Sequence, residues 1–374
     1  MRVNAKKIIQ RLELLYPQRL AESWDNVGLQ LGSDSRAIER ILICLEVTQK
    51  VVDEAIAKNI DLIIAHHPLI FKGIKTLAEN TPKGKCIATL IRENMLVYCM
   101  HTNFDSAEGG LNDILAKRLD LEHIAPLNAL QSEKLFKLAV FLPAESLVSV
   151  QDALYTAGAG KLGNYAHCGF TSAGTGSFMP LQGANPSIGT VGDTERVSEI
   201  KLETVVPQSL VGDVIQALMR VHPYETPAYD LFELKTPAKV YGLGRVGQLS
   251  ASMSVEDFVA HLKKSLGLTH VRLAHPAVEK KWIKKVAVVS GAGMDYAEDA
   301  VLKGADVFVT GDVKYHEAID VLHHGMLLAD VGHFESEVIY KYHLKEVLEA
   351  MIKEQDYDLV VEVSTEEAPT FVFA

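Results

Sequence analysis

At 374 residues the chain exceeds the ~250–300 that a single hydrophobic core usually sustains, so two or more domains are expected. With 48% apolar and 23% charged residues it has the composition of a soluble globular protein. A formal net charge of −11 excludes binding to nucleic acid or an anionic membrane by bulk electrostatics.

Ile8, Ile9, Leu12, Leu15 and Tyr16 recur at helical spacing and predict an amphipathic helix from about Ala5 to Tyr16, stopped by Pro17. Glu22 to Gly32 mixes Trp, Asp, Asn and Gly and reads as an ordered loop entering a short strand. Arg40 to Val47 is predicted as a buried strand, Val51 to Lys58 as the helix after it, and Asp61 to Ala65 as a second strand running into His66 and His67 before Pro68 ends it. A helix over Lys83 to Glu93 and a strand over Met95 to Met100 lead to His101-Thr102-Asn103-Phe104-Asp105, and a helix follows from Leu111 to Leu119. Strands and helices alternating at this spacing predict an α/β sheet with much parallel pairing and polar residues delivered to its carboxyl edge.

Between about Asn128 and Gly244 the pattern changes. Strands over Glu133 to Pro143 and Glu199 to Val206, helices over Ser146 to Gly158 and Ser209 to Val221, and a Gly/Ser/Thr-rich stretch from Tyr165 to Gly192 give the order of a ferredoxin-like α+β module inserted into the first domain. The α/β pattern then resumes, with helices predicted over 255–266, 295–303, 314–324 and 335–353 and strands near 270–273, 285–289, 306–310, 326–331 and 359–363. A weak internal repeat aligns the strand after Asp61 with the one after Asp306, setting His66-His67 against Gly311-Asp312, and aligns the strand before His101 with the one before His333. Two similar α/β halves facing each other across a cleft are expected.

The strand tips carry His66-His67, His101 to Asp105, Gly311-Asp312 with His316, and Asp330 to His333 with Glu335 and Glu337. Histidine with carboxylate and no cysteine is a ligand set for zinc, iron, manganese or nickel. His333 and Glu337 stand i, i+4 on one face of a helical turn. With His66, His67 and Asp105 they make three imidazoles and two carboxylates, a number that favours two bridged metal ions over one. The four cysteines, Cys44, Cys86, Cys99 and Cys168, form no C-x-x-C pair and are expected to be reduced thiols. No signal-peptide h-region or bilayer-length apolar run is read, so the expected location is the cytoplasm.

Trp24-Asp25-Asn26-Val27-Gly28-Leu29, His66-His67-Pro68, His101 to Asp105 with Glu108-Gly109-Gly110, Gly311 to His316, and Gly332-His333 with Glu337 together resemble the NIF-three-like dinuclear metal-centre family, whose members carry the label GTP cyclohydrolase I type 2 homologue. The resemblance covers residues 1–128 and 245–374 as a metal-binding α/β core, and the segment 129–244, through His222 to Pro227, resembles a PII/CutA-like module. It implies that His66, His67, Asp105, His333 and Glu337 hold two divalent ions per subunit, zinc foremost with iron or manganese as alternatives, and that the protein is a homo-oligomer, a ring-shaped hexamer, acting on a small molecule.

His101 and His316 lie beside the implied ligands and are candidates for proton transfer; ordering of Asp105 or packing of the cleft is the other reading of both. Asp25 and Asn26 either line the site or order their loop, His323-His324 closes a helix in solvent, and Cys99 is a core residue. The Gly-rich stretch lacks a phosphate-loop pattern and reads as flexible hairpins. Three functions stand open: a metal-dependent hydrolase of a nucleotide or related molecule, a metal storage or delivery protein, and a regulatory protein sensing a ligand through the insert.

Overall fold

A computed structural model describes residues 3–129, 131–276 and 281–371; residues 1–2, 130, 277–280 and 372–374, which fall within the expected domain ranges, lie outside the described residues. The chain forms two compact units, Met1–Leu130 with Tyr241–Ala374, and Gln131–Val240.

The first unit is built on two large sheets, with a small antiparallel pair of Val3–Asn4 and Ala37–Ile38 beside them. One has the strand order Val360–Val363, Arg40–Cys44, Leu62–Ala65, Leu96–Cys99, Gly28–Leu31. Its first four strands pair in parallel and the last is antiparallel. The other has the order Arg272–Ala274, Leu327–Asp330, Val307–Thr310, Trp282–Val288, Arg245–Ser254, Glu122–Pro126, with a parallel centre and antiparallel edges. Every residue of Leu62–Ala65 and Val307–Thr310 is buried, as continuous apolar runs in parallel strands require when both faces are covered.

The two sheets are anchored alike. Asp61 Oδ2 accepts the backbone N–H groups of Glu39 and Arg40 at 2.8 and 3.1 Å, and Asp306 Oδ2 accepts those of Lys284 and Lys285 at 2.9 and 2.8 Å. Each aspartate thereby satisfies donors at the start of the neighbouring strand and sets the register of a parallel pair. The helices start on chemistry written locally: Thr48 caps Val51, Thr81 caps Gly84 with Pro82 in the first turn, and Ser254 caps Asp257. The first helix, Ala5–Leu15, buries Ala5, Ile8, Ile9 and Leu12 in the core.

The long carboxyl-terminal helix predicted over 335–353 is two helices, His333–Glu337 and Ile339–Gln355, meeting at Val338. Ser336 Oγ donates to the carbonyl of His333 at 2.7 Å and accepts from Gly291 N at 2.9 Å, so a side chain competes with the helical ladder in the first turn and ties it to a neighbouring loop.

The second unit runs strand, helix, strand, strand, helix, strand. Its sheet order is Tyr229–Tyr241, Gln131–Leu142, Glu195–Pro207, Gly169–Phe178, that of a split βαβ module. Leu138, Val140, Val150, Leu154, Leu202, Val214 and Leu218 form its core under the helices Leu147–Thr156 and Val211–Val221. The Gly-rich stretch read as hairpins contains the strand Gly169–Phe178; its residues are largely exposed, so no apolar alternation marked it, and its backbone pairing with Glu195 to Thr204 holds it in place. All four cysteines are free thiols. Among the described residues, no helix is long and apolar enough to cross a membrane.

Candidate metal centre

His66 is fully buried at the tip of Leu62–Ala65. Its Nδ1 donates to the carbonyl of Met100 at 2.9 Å, which leaves the lone pair on Nε2. That nitrogen lies 3.7 Å from Asp105 Oδ1 and 3.7 Å from Glu337 Oε1 and has no hydrogen-bond partner. A buried nitrogen left so costs about 1–3 kcal/mol. Flanked by two carboxylates, it fits a divalent cation.

The other imidazoles repeat the arrangement. His67 donates from Nδ1 to Glu46 Oε2 at 2.9 Å and brings Nε2 to 2.9 Å from Glu337 Oε2. His333 donates from Nδ1 to Asp312 Oδ2 at 2.7 Å, with Nε2 3.2 Å from Glu337 Oε2 and 3.4 Å from His67 Nε2. In each, the outer nitrogen is held by a carbonyl or carboxylate and the inner one faces the same space, the outer support that metal-binding histidines need. Glu337 touches all three imidazoles and is the hub.

Backbone choices make room for this hub. Gly291 has φ +59°, and a Cβ there would lie 2.3 Å from Glu337 Oε1 and 3.2 Å from His333 Nε2. Asp105 sits on the short helix Thr102–Ser106. Asn112 Nδ2 donates to its carbonyl at 3.1 Å, and Asn112 Oδ1 accepts from Ser290 N at 2.9 Å, so one amide couples the strand tips of the two sheets.

The electrostatics are those of a cation site. Burial opposes charge on His66, but the carboxylates of Asp105 and Glu337 raise its pKa. Burial likewise opposes charge on His67, yet Glu337 and Glu46 raise it to about 10. The Glu337 hydrogen bond raises His333 to about 9. Burial pushes Glu337 up, but the surrounding imidazoles hold it well below the usual carboxylate range, whereas for Asp105 burial prevails and its pKa rises. A divalent ion bound here would displace protons from His67 and His333.

The fold thus gathers His66, His67, Asp105, His333 and Glu337. It brings in His101 as well: ring nitrogens of His66, His67 and His101 lie within 4.8 Å of one another, as do ligand atoms of His67, His333 and Glu337. His316 is placed differently. It is exposed on the helix Tyr315–His323, its ring edge-on to Tyr315 at 5.3 Å, and it belongs to neither donor group.

His101 Nδ1 donates to both Asp25 oxygens at 3.0 Å, and Asp25 also accepts from Thr102 N at 3.1 Å and Asn26 N at 2.8 Å. Burial would raise the Asp25 pKa, but the bond and charge of His101, with the other donors, bring it down to about 2. Sequence reasoning left Asp25 undecided and missed Glu46, Ser290 and Gly291. Glu46 lies just beyond the strand Arg40–Cys44, whose tip was the available signal.

A unit of two α/β sheets whose strand tips converge on imidazoles and carboxylates defines a candidate metal-binding α/β protein. The chain belongs to the Duf34/NIF3 (NGG1p interacting factor 3) family, whose sequence pattern matches residues 3–369. It is 41% identical over 371 residues to a Bacillus subtilis protein named GTP cyclohydrolase 1 type 2 homolog, covering 99% of both chains. It resembles the crystal structure of a Bacillus cereus protein related to NIF3, with a TM-score of 0.92, 38% identity and all of both chains covered. A second structure, Staphylococcus aureus protein SA1388, matches with a TM-score of 0.76 at 33% identity over 100% of this chain and 99% of that one.

Proposed function

We propose that the protein is a metal-dependent hydrolase with two divalent ions per subunit, acting on a nucleotide or related small molecule. The observation that carries the reading is the convergence of His66, His67 and His333 on Glu337, each imidazole held from behind by Met100, Glu46 or Asp312. His66, His67, Asp105, His333 and Glu337 hold the ions. The donor set suits zinc first, with iron or manganese as alternatives. When bound, such ions supply Lewis-acid activation of water and substrate.

The chain's own residues supply the proton handling. Asp25 fixes the Nδ1–H tautomer of His101, so Nε2 is free to accept a proton from an attacking water and return it to a leaving group. His101 stands outside the five proposed ligands yet carries the same carboxylate support, and on this reading it is the base that a store would not need. The naming of relatives as GTP cyclohydrolase 1 type 2 homologs makes GTP the first substrate to try. The family resemblance further supports a cytoplasmic homohexamer, and the element order of the second unit supports a PII/CutA-like module over 129–244.

Turnover of GTP and other nucleotides by metal-loaded protein tests this, with His101→Ala beside the wild type. The variant is expected to keep its metal and lose about 10²–10⁴ in rate. Wild type fully loaded with metal yet inert toward a nucleotide panel would favour the storage reading instead.

A further inference from the structure

Beside the donor cluster stands an exposed aromatic wall that ion binding does not use. Trp24, at the tip of the turn closed by Asp25 N on Glu22 O at 3.0 Å, keeps 57% of its surface exposed. Its ring lies 6.1 Å from that of His101 at 72°, and His101 is in turn 5.2 Å from His66 and 5.7 Å from His67. Phe71, 40% exposed, lies 5.8 Å from Trp24 at 60°.

Polar bonds tie the Trp24 loop and the strand Gly28–Leu31 after it to the segment that carries Phe71. Asn26 Nδ2 donates to the carbonyl of Ile70, Gln30 Oε1 accepts from Ile70 N at 2.7 Å, and Gln30 Nε2 donates to the carbonyl of Asn26 at 2.5 Å. Asp25, the neighbour of Trp24, is locked to His101 and Thr102. One short segment therefore fixes both the proton-handling imidazole and the indole next to it. Exposed Trp and Phe side chains held in this way, one ring away from the cluster, are a surface ready for a flat apolar partner.

We infer that Trp24 and Phe71 form a stacking wall for a planar heteroaromatic ring, the purine class, and that this wall sets which substrates reach the metal centre. The inference rests on the metal-hydrolase reading for its catalytic meaning, but ring binding can be read separately. A base stacked on Trp24 would lie next to His101 and the donor cluster, with its ring carbons toward the groups that act on them. Stacking is tolerant of base identity because every base offers a π face. Discrimination is therefore expected between aromatic and non-aromatic ligands more than between purines.

Metal-loaded full-length protein carrying Trp282→Phe leaves Trp24 as the only tryptophan, since the chain has two. Guanosine and adenosine are expected to quench its emission, and tripolyphosphate is not. Replacing Trp24 with Ala in the otherwise native chain should weaken calorimetric affinity for guanosine roughly 5- to 150-fold, with Trp24→Phe restoring most of it and metal content unchanged. Unchanged guanosine affinity in Trp24→Ala overturns the wall, as does a changed molecular mass in light scattering with affinity preserved, which would make Trp24 a contact between copies. Wild type that holds its metal but binds neither nucleoside overturns the wall and leaves the metal reading standing. Wild type that binds guanosine through Trp24 but takes up no metal supports the wall and removes the reading beneath it.

Discussion

The imidazole of His101 rests on the carboxylate of Asp25 with Nδ1 3.0 Å from both oxygens, and the Asp25 side chain is fully buried. A buried carboxylate with this many donors is ionised throughout the working range, and it decides which nitrogen of His101 carries the proton.

Asp25→Asn therefore separates positioning from folding. The folded pKa, about 2 against an ordinary value of 3.8, is depressed, so the carboxylate's stabilisation is present above the unfolded value and is lost as pH falls through about 2. Urea unfolding should show the variant less stable by about 2 kcal/mol at pH 7, with the difference shrinking toward zero near pH 2. Turnover should fall 10- to 100-fold with its pH profile displaced, because Asn can present either a donor or an acceptor to Nδ1. An unaltered pH profile would assign Asp25 to loop structure alone.

Gly291→Ala places a Cβ against the carboxylate of Glu337 at a position with φ +59°. The backbone cost is about 1 kcal/mol, so the protein still folds. The displaced hub should lower metal affinity at least tenfold, read by competition with a chromogenic chelator. Native affinity in the variant would mean that Glu337 is not held where its function requires.

Arg245 and Asp113 form a buried ion pair, and the guanidinium also donates to the carbonyls of Gly242, Gly244 and Ala107, the last at 2.8 Å. Arg245→Met leaves Asp113 buried without its partner and should cost about 3–5 kcal/mol in urea unfolding. Adding Asp113→Leu should recover much of it. A single variant as stable as the wild type would show that water reaches the pair.

In chelator-treated protein, stability should depend on pH in a way the metal-loaded protein does not share. His67 and His333 have folded pKa values raised to about 10 and about 9, so their contribution is complete below their ordinary value of 6.5 and is lost as pH rises through 9 to 10. Glu337 is depressed, so its contribution is present above 4.5 and is lost on acidification. Thermal unfolding of the metal-free form should thus be most resistant between about pH 4.5 and 6.5 and weaken steadily from there toward pH 9 to 10. A stability rising steadily from pH 7 to 10 would contradict the charge arrangement.

The paired histidines were legible because Pro68 ends an apolar strand and leaves His66-His67 at its tip, and His333 with Glu337 because a helical turn spaces them locally. The repeat between the two sheets was legible through Asp61 and Asp306, which do the same work in both. What sequence could not carry is partnership across distance. Glu46 reaches His67 over 21 positions and Asp25 reaches His101 over 76, and neither residue bears a local mark of the bond it makes. The break at Val338 depends on Ser336 meeting Gly291 from 45 positions away, and His316, beside implied ligands in sequence, is turned outward by its helix.

Metal content decides the central claim most directly. Elemental analysis of freshly purified wild type should give two divalent ions per subunit, and Glu337→Ala, which removes the carboxylate facing His66, His67 and His333, should lose both while remaining folded by circular dichroism. A folded Glu337→Ala protein that kept its full metal complement would contradict the account.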